Sequence, residues 1–276
     1  AGSAALACAN LYVLLGVQYE NIIMFDKEGV LSKERTDLSE LQRKYTSGKQ
    51  GTTLAEALVN ADVFLGLSAG NILTPDMLLG MAKDPIVFAM ANPIPEIDYD
   101  LAIRTREDII MATGRSDHPN QVNNVLGFSY IFRGALDVRA TKINEAMKMA
   151  AVRALAELAK ESVPEQVNIA YGETKLIFGR EYIIPKPFDP RLITMVAPAV
   201  AKAAMESGVA LHPITDWEKY EEELMERLGS DNKMVRLLTN RAKTDPKRVV
   251  FAEADHLDVL KAAQMVWEEG IGHPIL

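Results

Sequence analysis

The sequence predicts an α/β protein: a doubly wound parallel sheet, then a linker region, then the start of a second α/β domain. Three observations predict it. From the first residues to about Glu161, short apolar runs alternate with runs of helical spacing, and that alternation is the mark of a parallel sheet with crossover helices. A proline-dense stretch breaks the pattern after Ser162. Strand and helix resume near Asp245.

In chain order, "SAALACANLYVLLGV" has helical spacing, and "NIIMFD" (Asn21 to Asp26) is an apolar run ending in an acid, expected as a buried parallel strand. "DLSELQRKYT" and "TLAEALVNA" read as helices, and "DVFLGLS" (Asp62 to Ser68) as a strand. "TPDMLLGMAK" starts with Thr74 as N-cap and Pro75 in the first turn, a strong helix start. "PIVFAMAN" (Pro85 to Asn92) and "DIIMATG" (Asp108 to Gly114) are strands around the helix "YDLAIRTRE". Two long helical patterns, "NVLGFSYIFRGALDVRA" and "KINEAMKMAAVRALAELAKE", close the first domain at residues 1–161.

Residues 162–230 form the next division. "FGREYIIPKPFDPRL" holds three prolines and cannot be one regular element; a structured arm is expected, followed by the helix "VAPAVAKAAMESG" and the acidic helix "DWEKYEEELMERLG". The acids of the last read as a solvated face. Residues 231–276 open a second α/β domain, with a strand at Arg248 to Glu253 feeding a helix at Leu257 to Glu269.

Composition bounds the function. With 276 residues, 48% hydrophobic and 25% charged, the chain suffices for one large α/β domain or for one domain and part of another. A net charge of −8 and a pI near 5.2, with no Lys/Arg block, argue against nucleic acid or an anionic membrane surface as partner. The longest apolar stretch, Leu6 to Val17, is interrupted by Asn10 and falls short of the roughly 20 residues of a membrane span. The lone cysteine, Cys8, excludes an internal disulfide and reads as a packing residue. A reducing cytoplasm is the expected compartment. Neither terminus reads as a natural end, so an internal piece of a longer polypeptide is expected.

The chemistry begins at "AGSAA". Gly2 and Ala5 fall at the second and third glycine positions of a Rossmann-type G-x-G-x-x-G/A fingerprint, where a bare backbone approaches a pyrophosphate and a small residue lets helix pack on sheet. Asp26 follows at the spacing of a ribose-binding acid. Ligands of open parallel sheets sit outside the carboxyl ends of the strands. Asp26, Ser68 with Gly70, Asn92, and Gly114 with Arg115 each follow such an end, so one shared edge is expected. Each also has an ordinary reading: Asp26 or Ser68 as a helix cap, Asn92 before Pro93 as a turn, Arg115 paired with Asp117. The run "GRSDHPNQVNNVLGF" places three asparagines ahead of an apolar helix. Amides hold a carboxylate or hydroxyl without net charge, and Asn123 and Asn124 sit where a helix N-terminus adds positive potential. Capping accounts for one asparagine, not a cluster.

The segments "GLSAGNILTPDML", "PIVFAMANPIPEI", "ATGRSDHPNQVNNVLGFSYIFRGALDVRATKINEAMKMAAVRALAELA" and "IIPKPFDPRLI" resemble the bacterial malic enzymes, in particular the hybrid kind that joins a malic enzyme to a phosphotransacetylase-like domain. "RVVFAEADHLDVLKAAQMVWEEGIGHPIL" resembles the start of that second domain. The resemblance implies metal-dependent oxidative decarboxylation of L-malate to pyruvate and carbon dioxide, with NADP+ or NAD+ reduced and Mg2+ or Mn2+ bound.

By the same resemblance, Asn92, Asn123 and Asn124 contact malate or the nicotinamide. Gly2, Ser3 and Ala4 line the pyrophosphate, Asp26 with Lys27 the adenosine ribose, and Ser68 with Ala69 the strand edge beside the cofactor; Arg115 is added to the substrate group. The family's catalytic Lys and Tyr and its acidic metal ligands lie upstream of the glycine fingerprint, so no catalytic or metal residue is assigned in this chain, which is expected to be inactive alone. His118 is assigned a packing or hydrogen-bonding role. Asp26 favours NAD, whereas Lys27, Lys33 and Arg35 offer charge for the NADP phosphate; the hybrid enzymes tip the expectation to NADP. A homo-oligomer responsive to acetyl-CoA is also implied. The competing readings are another NAD(P)-dependent oxidoreductase, such as an amino-acid dehydrogenase, and a non-catalytic regulatory or assembly module.

Overall fold

The computed structural model describes residues 1–47, 51–173, 175–228 and 233–276. They fall into two units, Ala1–Ile214 and Thr215–Leu276. The division expected between residues 230 and 231 lies outside the described residues.

The first unit opens with α1 (Ser3–Leu14), whose N-cap Gly2 is extended and whose first turn carries no acid. The run Asn21 to Asp26 departs from expectation. Only β1 (Phe25–Asp26) is a strand, and it pairs antiparallel with β2 (Gly29–Val30) rather than joining a parallel sheet. The cause is local. The Asp26 carboxylate accepts the Glu28 N–H at 3.0 Å, and Gly29 takes φ +109°, so a two-residue hairpin turns the chain back at once. Two one-turn helices follow, α2 (Glu40–Arg43) and α3 (Leu54–Leu58), each started by a capping box, Ser39 with Gln42 and Thr53 with Glu56. Ala9 of α1 packs with Met24, Leu31, Leu38 and Tyr45 in a core of its own. Cys8 is half-buried, and burial pushes its thiol up, as suits a packing residue.

The parallel sheet is built by β3 (Val63–Gly66), α4 (Pro75–Gly80), β4 (Ile86–Ala89), α5 (Tyr99–Thr105) and β5 (Ile110–Thr113), with strand order β3-β4-β5. Thr74 and Asp98 cap the two helices by accepting the N–H groups of Met77 and Leu101. Phe64, Val87, Ala89 and Met111 point from the strands into a core with Leu73, Leu78, Ile97 and Ala102. At the opposite edge, the Arg106 guanidinium donates to the carbonyl of Leu78 in the last turn of α4, to those of Met81 and Ala82 beyond it, and to Asp108. That satisfies carbonyls which a helix end leaves open.

Two long helices, α6 (Val125–Asp137) and α7 (Glu145–Lys160), precede the short α8 (Glu165–Tyr171), the irregular proline-rich arm and α9 (Arg191–Glu206). The last begins earlier than the periodic run at Val196 suggested. Pro190 is its N-cap, and buried Asp189 accepts the Arg191 N–H at 3.0 Å while pairing with the Arg191 guanidinium. At the crossing of α6 and α9, a Cβ on Gly134 would stand 2.4 Å from the Ala197 carbonyl oxygen.

The second unit holds α10 (Trp217–Arg227), α11 (Lys233–Thr244), β6 (Lys247–Val250), α12 (Leu257–Glu268) and β7 (Gly272–Ile275), with β6 and β7 parallel. On α10, Tyr220 and Leu224 are buried and Glu221, Glu222 and Glu223 are exposed. No helix among the described residues is long and apolar enough to cross a membrane.

Candidate functional site

The register of the sheet assembles most of the predicted residues. Gly66 pairs with Ala89 and Ala89 with Thr113, so the three strands end in one row. Ser68 and Ala69 follow the first of these ends, Asn92 the second, and Gly114 with Arg115 the third, all exposed. The chain then returns to the same row, because Val122 donates its N–H to the Thr113 carbonyl at 2.8 Å. Asn123 and Asn124 are thereby set beside the strand ends, at the head of α6.

The three asparagines of this run do three different things. Asn120 is buried at φ +54°. Its amide donates to the carbonyls of Met111 (3.0 Å) and Arg180 (2.7 Å), and its Oδ1 accepts the Ile183 N–H at 2.8 Å, fastening the arm to β5. Asn123 accepts the Val125 N–H at 3.0 Å, which is local capping. Asn124 is the N-cap of α6 but makes no side-chain cap, and its exposed amide is left for another partner. Arg115 is occupied by Asp117, at 2.9 and 2.5 Å, and the two are more than half exposed. His118 stacks on Tyr99 at 4.3 Å, a packing role.

Arg115 holds the Asp117 carboxyl at about 2. A carboxyl depressed by folding adds stability above its ordinary value near 3.9 and loses it as pH falls through the folded value. We expect the Asp117 carbon resonance to titrate with a midpoint near 2, and to return toward ~3.9 in Arg115→Gln; identical midpoints would mean the pair is absent in solution.

A second group gathers at the N-terminus of α1. Gln42 donates to the Ala1 carbonyl at 3.3 Å, and the Ala1 amino group donates to the Phe25 carbonyl, bringing Gly2, Ser3 and Ala4 near Asp26 and Lys27. A Cβ on Gly2 would meet nothing of the protein within 4 Å. Packing therefore does not demand this glycine, and its φ of −80° is open to any residue. The first N–H groups of α1 have no helical acceptor.

Asp26 does not stand as a free acid. Arg35 grips both its oxygens, at 2.7 and 3.0 Å, and reaches Asp37 at 2.6 Å. With the Glu28 N–H, that contact lowers the Asp26 carboxyl below the ordinary range. Lys27 is exposed and pairs with Glu28, at 3.6 Å. The expectation of one shared edge is therefore met by the sheet loops, but not by Asp26, whose hairpin lies outside the parallel sheet. No hydrogen bond among the described residues joins the two groups. A groove between α1, the α2 region and the start of α7, lined by Asn10, Gln42, Tyr45 and Lys148 among others, shares only Ser3 with the predicted set.

Sequence reasoning passed over two residues here. Asn120 reads alike with its neighbours in the sequence, although two of its three partners lie in the arm. Glu96 is wholly buried, and its Oε1 and Oε2 accept the N–H groups of Ser68 and Ala91, each at 3.0 Å. The available signal was Gly66, since a glycine inside a strand often marks a close approach.

Comparison with known proteins agrees with this architecture. The family described as "Malic enzyme, NAD binding domain" matches residues 16–172. The chain is 52% identical over 280 residues to the NADP-dependent malic enzyme of Salmonella typhimurium, covering 100% of this chain and 37% of that one. It is 49% identical over 278 residues to the NAD-dependent malic enzyme of Rhizobium meliloti, covering 100% of this chain and 36% of the relative. The chain thus spans little more than a third of the length of these relatives. Among solved structures, the malic enzyme of Entamoeba histolytica is similar at a TM-score of 0.73 and 33% identity, over 87% of this chain and 49% of that chain. A chain whose parallel sheet carries these loops on one edge, and whose residues match over this span, belongs to the malic enzyme family, of which it contains the NAD-binding domain.

Proposed function

We propose that this chain supplies the dinucleotide site and part of the malate site of a malic enzyme, which oxidatively decarboxylates L-malate to pyruvate and carbon dioxide with NADP+, or NAD+, as hydride acceptor. The observation that carries the reading is the common row of strand ends with Ser68, Ala69, Asn92, Asn123 and Asn124 just beyond it, in a chain half identical to NADP-dependent malic enzymes.

The residues at α1 fit a dinucleotide. Gly2 leaves room for a pyrophosphate, and the N–H groups of Ser3 and Ala4 are the donors that would hold it. The nicotinamide, when bound, supplies the hydride acceptor. Asn92 and Asn124 would orient the malate carboxylate and hydroxyl with neutral amides, and Asn123, engaged in capping, acts through its effect on the head of α6. Arg115 would reach substrate only by leaving Asp117. Among the described residues, no group of three His, Cys, Asp or Glu side chains is placed to hold a metal ion. By the resemblance, the ligands of Mg2+ or Mn2+ lie upstream of the glycine fingerprint, and no metal role is proposed for a residue of this chain.

The larger protein is read as the hybrid kind, with residues 1–161 as the nucleotide domain, 162–230 completing the malic enzyme part and 231–276 opening the phosphotransacetylase-like domain. The parallel pair β6 and β7 around α12 supports a new α/β unit there. A cytoplasmic homo-oligomer with acetyl-CoA as effector completes the reading.

Calorimetric titration of the chain with NADP+ and NAD+ tests the nucleotide site directly. Saturable binding is expected; heats indistinguishable from dilution for both would sink the assignment of Gly2, Ser3 and Ala4. The ribose end has its own test. Arg35 neutralises Asp26, which permits a 2′-phosphate beside it. In the full-length enzyme, Arg35→Gln should lower the NADP/NAD ratio of kcat/KM by about tenfold, and Asp26→Ser should raise it. A ratio unmoved by both changes would remove this cluster from the cofactor site.

A further inference from the structure

Glu96 lies in the turn between β4 and α5, where an acid is ordinarily solvated, yet it is 0% exposed. Its two oxygens serve two different loops. Oε1 takes the N–H of Ser68, beyond β3, and Oε2 takes the N–H of Ala91, beyond β4 and next to Asn92. The backbone repeats the connection, with Asn71 donating to the Pro95 carbonyl and Leu73 to the Glu96 carbonyl, each at 3.0 Å. Two glycines keep the space open. A Cβ on Gly66 would lie 2.4 Å from the Glu96 carboxyl carbon, and one on Gly70 would lie 2.7 Å from Ile94. Neither glycine has a left-handed φ, so clearance and not backbone freedom accounts for both.

A burial of this kind is costly unless each oxygen is paired, and a single side chain bridging two loops fixes the distance between them. We propose that Glu96 is a positioning residue that clamps the loop of Ser68 and Ala69 to the loop of Asn92, holding cofactor and malate in one frame. The proposal rests on the reading that these two loops bind them. Glu96 touches neither ligand; it acts through the two backbone N–H groups.

The test uses the full-length enzyme with Glu96→Gln, Gly66→Ala and the double variant Gly66→Ala/Glu96→Ala. A glutamine offers one acceptor oxygen and one NH2, so one of the two amides loses its partner. With active-site concentration fixed by titration, Glu96→Gln should raise the Kd for NADP+ and the KM for malate together, each by about tenfold, while a smaller loss of Tm accompanies it. Gly66→Ala should lower both affinity and Tm. In the double variant the clash is relieved but both N–H groups lose their acceptor, so the affinities should stay low even though the methyl now has room.

If Glu96→Gln lowers Tm but leaves both constants within twofold of the parent, Glu96 is merely structural and the proposal is overturned. Recovery of both affinities in the double variant would overturn it equally, because clearance at Gly66 and not the clamp would then account for the loss. Failure of the parent enzyme itself to bind NADP+ or NAD+ is a separate result, since it strikes the functional reading before any variant is compared.

Discussion

Asn124→Ala in the full-length enzyme should lower kcat/KM for malate by about 2–4 kcal/mol of transition-state stabilisation and leave Tm unchanged. The separation of the two effects follows from the geometry. Asn124 is exposed, and its amide makes no cap at the head of α6, so its removal takes away no side-chain hydrogen bond seen among the described residues. Any loss must come from something the amide meets outside the protein. Its neighbours provide the controls. Asn123→Ala deletes the cap to Val125 and should cost about 1 kcal/mol of stability. Asn120→Ala removes three hydrogen bonds, two of them to the arm, and should lower Tm most of the three. Steady-state kinetics beside thermal melts read all three variants, and malate kinetics in Asn124→Ala equal to the parent's would take Asn124 out of the site.

The second large effect is expected at Gly134→Ala. The added methyl would stand 2.4 Å from the Ala197 carbonyl oxygen and 2.9 Å from the Val200 Cβ, and neither is the free end of a flexible chain. Helices α6 and α9 must separate. Overpacking of this sort costs about 1–3 kcal/mol, or several degrees of Tm in a unit of this size. The direction is opposite to the propensity argument, by which alanine in place of a mid-helix glycine stabilises by about 1 kcal/mol. A melt therefore decides between close packing and intrinsic preference: a Tm that rises would mean that the two helices are not in contact at Gly134.

How far the sequence carried the structure depends on the range of the interaction. The order of elements from Val63 to Lys160 follows from apolar periodicity, and the helix starts at Thr74 and Asp98 are chemistry among residues three apart. Strand ends are shorter than predicted, since polar residues such as Asp62 and Asn92 fall outside the ladders. The run to Asp26 misled because an apolar stretch does not reveal its partner, and the turn at Gly29 supplied an antiparallel one. The edge holding Ser68, Asn92 and Arg115 was legible, as it depends only on strand direction, whereas Asn124 reaches it through the Val122–Thr113 bond. What Asn120, Glu96 and Arg35 do was not, because their partners lie elsewhere in the chain or across loops whose approach no local pattern encodes.

The clasp made by Asn120 also sets an order of events. Its partners in the arm are 60 and 63 residues further along the chain, and closing so long a loop carries an entropic cost that must be met before the bonds repay it. On a ribosome adding roughly 5–20 residues per second, the segment with Asn123 and Asn124 would emerge several seconds before the residues that anchor it. The strands can pair in that interval. The Val122–Thr113 bond can set Asn123 and Asn124 beside the strands at that stage, and the bonds of Asn120 to Arg180 and Ile183 lock that loop only once the arm has followed.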